Sequence, residues 1–414
     1  MKFAEIITIG DELLIGQVVD TNSAWMGQKL NEIGIKVKQI SSVSDDKQHI
    51  VTALKEAASR ADVILMTGGL GPTKDDITKK TLAEFFDSTM VLSEDSLAII
   101  QEIFRSRGRE MTELNRQQAM VPDKCNVLLN KNGTAPGMLF EHDGKIYISM
   151  PGVPNEMKGL MESAVLPILK ERFNLPRVVH RTVLTQGIGE SFLSDKIESW
   201  ELALPPHIKL AYLPAAGMVR LRLSASGKDE STLQKEVETE VTKLSSIIHE
   251  YIFGFENDTL EELIGQLLRE KKKTLCTAES CTGGYIAHKI TSVTGSSDYY
   301  QGSIVAYANL LKTDLLNLDP ETLKKHGAVS KETVQAMADS ARKVLASDYA
   351  IATSGIAGPT GGSPEKPVGT VWIAISGESG TEAWKVQLGS NRLRVIMETS
   401  NHALNGLRKR LLEE

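Results

Sequence analysis

Residues 277–284, Thr-Ala-Glu-Ser-Cys-Thr-Gly-Gly, set a hydroxyl, a thiol and two glycines side by side. An apolar, β-branched run precedes them, and a helical pattern follows through Tyr285, Ile286 and Ile290. The spacing therefore places a nucleophile at a strand-to-helix turn. Free backbone N–H groups and the positive end of the helix dipole can hold an oxyanion or a phosphate there. The glycines let that backbone approach a ligand closely. The plain alternative is an ordinary Ser/Thr-capped helix start.

Downstream, residues 302–309 read as a buried strand that ends in polar residues and is followed by Lys312. Residues 349–359 repeat the shape, with an apolar strand that opens into hydroxyls and glycines. In open α/β sheets, ligands collect at the carboxyl ends of strands. Three strand ends bearing Ser280, Tyr307 with Lys312, and Thr353 with Ser354 make a convergent site.

A second constellation lies near the amino terminus. The predicted strand 63–67 runs into Gly68-Gly69-Leu70-Gly71-Pro72-Thr73-Lys74-Asp75-Asp76. Such a turn is a phosphate cradle in principle, although it has neither GK[ST] nor GxGxxG spacing. Adjacent Asp75 and Asp76 suit a divalent ion that bridges phosphates. Loops 10–12, with Glu12, and 151–156, with Glu156, fit the same rim. Taken singly, each loop is equally a turn with a capping acid.

The elements that position these residues follow from periodicity. A strand at 4–9, a helix at 21–33 opened by a Thr/Asn cap and stopped at Gly34, a strand at 35–43, a helix at 46–59 and a strand at 63–67 give a β-α-β-α-β rhythm. That rhythm implies a mostly parallel sheet with helices on both faces. From Val178 to about Phe253 the pattern changes to strands at 181–186, 208–213 and 219–226, with helices at 191–200 and 233–252. An amphipathic helix from Leu260 then restores the alternation. The reading is a multi-domain α/β chain: two α/β sandwich domains with mostly parallel sheets (1–170 and 258–414), joined by a small α+β module (177–254).

The 414 residues are ample for several cores. A formal net charge of −6, without a basic arm, argues against direct nucleic-acid binding. No apolar run reaches the roughly 18 residues of a membrane span, and residues 1–5 lack a signal-peptide core. Three cysteines without a CxxC read as reduced thiols in a cytoplasm. A homodimer is expected because two-fold oligomers are the commonest.

GDELL at 10–14, TGGLGPTKDD at 67–76 and MPGVPNEM at 150–157 resemble the molybdopterin-binding (MoaB/MogA-like) domain that opens proteins of the competence/damage-inducible CinA family. AESCTGG at 278–284, YANLLK at 307–312, GAVS at 327–330, SGIAGPTGG at 354–362 and KPVGTVW at 366–372 resemble the family's PncC-type nicotinamide-nucleotide amidohydrolase domain. Together the motifs span essentially the whole chain.

The resemblance implies two activities. One is deamidation of nicotinamide mononucleotide (NMN) to nicotinic acid mononucleotide and ammonia. The other is pyrophosphate hydrolysis of ADP-ribose with a divalent metal (Mg or Co), assisted by K+. It implies no cofactor for the amidase. A non-catalytic molybdopterin or nucleotide scaffold, acting through partners in competence or DNA damage, is the alternative.

By the same resemblance Ser280 is the nucleophile and Lys312 its base, with Tyr307 relaying the proton and Thr353 and Ser354 orienting the lysine. The substrate is bound by Cys281, Thr282, Gly283, Gly284, Ser354, Gly355 and Arg392. The amides of 281–284 form the oxyanion hole, and Arg392, or else Arg394, takes the phosphate. Cys281 is the rival nucleophile, but the motifs offer no histidine; His288 and His326 lie beyond them. In the first domain Asp76 is the catalytic acidic position. Asp76, Glu12 and Glu156 hold the metal, while Gly68, Gly69, Gly71 and Asp75 contact phosphate.

Overall fold

The computed structural model describes residues 2–73 and 76–414. The chain divides into two compact units, Met1–His180 with Ser224–Glu236, and Arg181–Leu223 with Val237–Glu414. Among the described residues no helix is long and apolar enough to cross a membrane.

The first unit is built on strands β1 (Phe3–Ile9), β2 (Lys36–Val43) and β3 (Val63–Thr67). A short antiparallel ribbon, β4 (Met90–Leu92) with β5 (Met120–Pro122), stands apart from β6 (Asn126–Leu128), β7 (Gly137–His142) and β8 (Lys145–Met150). The main sheet runs β2-β1-β3-β8-β7-β6. Its first four strands are parallel and its last two antiparallel.

Every side chain of β3 is buried, as a strand covered on both faces requires. Alternation sorts them: Ile6, Leu65 and Ile148 pack with Met26 and Leu30 on one face, while Ile7, Ile64 and Met66 pack with Ile50 and Leu54 on the other. The helix Thr21–Glu32 is capped by Asp20, whose carboxylate accepts from the Ser23 amide, and not by the expected Thr/Asn pair. Because β1, β3 and β8 are parallel neighbours in register (Thr8 beside Thr67, Thr67 beside Met150), their three following loops gather at one edge.

Strands β9 (Arg177–Gln186), β10 (Ile208–Ala215), β11 (Met218–Gly227) and β12 (Ile252–Phe255) form a sheet of order β10-β11-β9-β12. The helix expected to reach 252 stops at Ile248, and β12 follows it. Leu244, Ile248 and Ile252 share helical spacing, so periodicity alone runs the helix into the strand.

The remaining strands are β13 (Leu275–Glu279), β14 (Tyr300–Val305), β15 (Tyr349–Gly355), β16 (Thr370–Gly377) and β17 (Gly380–Gln387), in the order β14-β13-β15-β16-β17. Here β14, β13 and β15 are parallel, and β16 and β17 continue the sheet antiparallel. Only half of the pairings in this sheet are therefore parallel, and they are the ones that carry the site. The strand expected to be buried over 302–309 is instead the partly exposed edge strand β14, which ends at Val305. The chain is a multi-domain α/β protein.

Candidate active site

β13 is the middle strand of the parallel trio and is buried throughout. It delivers Ser280 to the sheet edge, where the Ser280 amide donates to the Thr353 carbonyl at 3.0 Å. Gly284 (φ +96°) then turns the chain into the helix Tyr285–Thr291. A left-handed residue directly before the helix favours glycine.

The amino end of that helix does not stand open. Glu279, fully buried, accepts from the amides of Gly284 (3.0 Å), Ile286 (3.1 Å) and Ala287 (2.8 Å). The Gly283 amide donates to the Ser280 carbonyl at 3.2 Å. Two of the four amides expected to form an oxyanion hole, those of Gly283 and Gly284, are thus already engaged. The motif reading did not single out Glu279. A carboxylate that closes an apolar strand was the available signal, because a buried charge needs partners.

Lys312 lies in the short helix Asn309–Asp314 and has no exposed surface. Its Nζ is 3.2 Å from Ser280 Oγ and donates to the carbonyls of Ala306 (2.8 Å) and Tyr307 (3.2 Å). Burial lowers its pKa below the ordinary lysine value, and the nearby Cys281 thiol opposes that shift only in part. A neutral amine has two N–H donors and one lone pair. In that neutral form the two carbonyls would take both donors, and the lone pair would be left for the serine hydroxyl.

The hydroxyls expected to orient Lys312 face elsewhere. Thr353 Oγ1 is 2.8 Å from Thr282 Oγ1, and Ser354 Oγ donates to the Ala328 carbonyl at 2.6 Å. The backbone carbonyls of 306 and 307 hold the lysine instead. Gly355 serves packing, since a Cβ there would stand 2.6 Å from the Val371 side chain. Cys281 is buried, and desolvation pushes its thiol up to about 12, which leaves almost no thiolate near neutral pH.

Arg392 begins the last helix, Arg392–Glu413. Its guanidinium donates to the Gly358 carbonyl and to the Tyr307 hydroxyl, both at 3.0 Å. Arg394 is instead bound to Glu398 at 2.7 Å, which favours Arg392 of the two. His288 lies on the helix after the turn, and His326 faces Glu332 at 3.6 Å.

In the first unit a cleft of about 530 Å³ is lined by Glu12, Gly68, Gly69, Gly71, Asp76 and Glu156, among others. Gly68 has φ +115°, and a Cβ there would meet the Ile9 carbonyl oxygen at 2.0 Å, so no other residue fits. Asp76 closes its own loop, accepting from the amides of Gly71 and Thr73 (2.8 Å each) and from the Thr73 hydroxyl. The Gly71 amide is therefore not directed at a ligand.

Glu156 accepts from Asn130 at 2.7 Å, and burial raises its pKa. Among the described residues no three Asp, Glu, His or Cys side chains converge tightly enough to hold a metal. The expected Asp76, Glu12 and Glu156 set is thus not a ready-made metal centre. Asp75 lies outside the described residues.

Family models match three stretches: "CinA C-terminal domain" over 257–411, "Probable molybdopterin binding domain" over 5–171 and "Damage-inducible protein CinA KH domain" over 180–254. A CinA-like protein of Cytophaga hutchinsonii is 50% identical over 99% of this chain and 98% of its own length. Another, from Flavobacterium psychrophilum, is 48% identical over 99% of each. A crystal structure of a competence-damaged protein (CinA) superfamily protein from Klebsiella pneumoniae is 31% identical, covers 38% of this chain and 100% of that one, and has a TM-score of 0.37. With half of its residues shared across almost the full length of such a relative, this chain belongs to the CinA family.

Proposed function

We propose that the C-terminal domain deamidates NMN. The observation that carries the reading is the buried Lys312 amine, 3.2 Å from Ser280 Oγ with both donors held by carbonyls. The neutral amine takes the serine proton while Oγ attacks the carboxamide carbon. The amides of Cys281 and Thr282 stabilise the oxyanion, at about 3 kcal/mol per donor. Lys312, now an ammonium, returns its proton to the departing nitrogen, which leaves as ammonia. The neutral amine then takes a proton from water, which attacks the ester, and nicotinic acid mononucleotide leaves as Ser280 regains its proton. Two of the five N–H donors of Arg392 are engaged, so three remain for the substrate phosphate.

The test is ammonia release from NMN by the full-length chain. Turnover that disappears in Ser280→Ala supports the reading, and full activity in that variant overturns it.

ADP-ribose pyrophosphate hydrolysis is a second reading for the first unit. It is favoured by the cleft at the carboxyl ends of β1, β3 and β8. Conversion of ADP-ribose to AMP and ribose 5-phosphate that is lost in Asp76→Lys would support it. Binding without turnover would leave a non-catalytic nucleotide module.

A further inference from the structure

Arg394, Glu398, Asn401, Asn405 and Arg408 recur every three or four residues along one side of the last helix. A polar stripe of that spacing usually faces water, yet Glu398, Asn401 and Asn405 are only 7%, 4% and 8% exposed. The turn Ala216-Gly217 between β10 and β11 lies in the same compact unit and meets the stripe. A Cβ on Gly217 (φ +69°) would stand 3.2 Å from Glu398 Cγ, and Arg408 donates to the Ile252 carbonyl at 3.2 Å.

Asn401 uses both ends of its amide. Its Nδ2 donates to the Ala216 carbonyl at 3.2 Å, and its Oδ1 accepts from Lys289 Nζ at 2.9 Å. A lysine ammonium only donates and a backbone carbonyl only accepts, so the neighbours fix which way the amide points. Lys289 is paired with Glu261 at 3.1 Å and lies on the helix Tyr285–Thr291, which follows the Ser280 turn. About 14 Å back along the axis, the helix of Asn401 begins at Arg392. The Gly358 carbonyl and the Tyr307 hydroxyl hold that guanidinium, so the hydroxyl serves Arg392 and not a proton relay to Lys312. One buried amide thus joins the helix behind the nucleophile, the helix behind the phosphate-assigned guanidinium and a turn of the α+β module.

We infer that Asn401 is a positioning residue of the deamidase, pinning the Arg392 helix against the Ser280 helix with the Ala216-Gly217 turn as third point of the clamp. The inference rests on the deamidase reading and deepens it. A buried amide that loses one partner leaves a polar group unpaired, so the three elements keep one register. That register sets the span between nucleophile and guanidinium, which a substrate held at both ends must match. Nicotinamide riboside carries the same carboxamide and ring without the phosphate, so it reports on the nucleophile end alone.

Asn401→Asp keeps an acceptor for Lys289 but cannot donate to Ala216. It should raise the KM for NMN about fivefold with kcat within about twofold, and leave kcat/KM for nicotinamide riboside within about twofold. Gly217→Val disturbs the same contact from the module side and should do the same. Joined to Asn401→Asp it should add little, because both changes break one contact. Calorimetric binding of NMN to Ser280→Ala, with and without each change, reads the affinity without turnover. Equal losses for both substrates, an unmoved KM or full additivity of the two changes would overturn the inference. So would NMN binding to Ser280→Ala that is absent or indifferent to both changes. NMN binding that weakens as expected while no ammonia is released would overturn the deamidase reading and leave the clamp standing.

Discussion

Both clefts stand at the carboxyl ends of parallel strands, and in both a carboxylate is drawn into the turn, but to opposite effect. In the C-terminal domain Glu279 turns back onto the helix that starts at Tyr285 and takes three of its amides. That leaves the turn compact, with a buried amine against a hydroxyl. In the N-terminal domain Asp76 instead braces its own loop, and the cleft stays wide and lined with acids. The proposed attack by Ser280 needs a desolvated base, and the buried Lys312 amine fits that need. The second arrangement is a shaped receptacle that sets hydroxyls and amides such as Thr8, Asn22 and Gln118 beside its acids.

Removing the amine should have the largest effect. Lys312→Met is expected to lower NMN deamidation by about a thousandfold or more, within the range of a lost general base. The fold should be retained, since an apolar chain of similar length replaces a buried polar group. Ammonia release and thermal unfolding of the same preparation check both points.

The two braces give the next contrast. Glu279→Ala leaves three amides, one buried and two part-buried, without their acceptor and should cost about 3 kcal/mol of stability, together with most of the deamidase activity. Asp76→Ala acts on a solvent-facing loop and should cost about 1 kcal/mol, the scale of a lost cap, without touching deamidation. Denaturant titration of both variants beside wild type would reverse the contrast if Asp76 proved the costlier loss.

The pH dependence separates the domains further. In the proposed mechanism Lys312 acts as a neutral amine, and burial lowers its pKa. The kcat/KM for NMN should therefore rise with pH through a midpoint below that of an ordinary lysine and then level off. The unfolded chain binds that proton more tightly, so the group's contribution to stability is greatest above the ordinary lysine pKa and falls as pH drops toward the lowered value. A midpoint at the ordinary lysine value would contradict the burial argument.

Cys281→Ala should have the smallest effect on turnover. A thiol pushed up to about 12 contributes no nucleophile, so deamidation should stay within about threefold, the loss being one of packing.

Much of this was legible in the residue pattern. Strand β3 is found at its predicted bounds because an unbroken apolar run between polar flanks fits a doubly covered strand. Ser280 and Lys312, 32 residues apart in sequence, meet because parallel neighbours β13 and β14 end at the same edge. What the pattern hid were contacts made by the backbone. The carbonyls of Ala306 and Tyr307, not the hydroxyls of Thr353 and Ser354, hold the lysine, and carbonyls carry no residue signature. Glu279 was equally hidden, since its partners are amides of the next helix. The edge position of β14 was missed because the apolar letters of residues 304–306 do not reveal which strand lacks a neighbour.

The central claim is that Ser280 becomes esterified by the nicotinoyl group of NMN with Lys312 as its base. Rapid acid quench of the full-length chain during turnover, followed by mass spectrometry of the peptide that carries Ser280, tests it most directly. The expected result is a mass increase of one nicotinoyl mononucleotide on Ser280, absent in Lys312→Met. Steady ammonia release with that serine unmodified, or with the adduct on Cys281, would contradict the account.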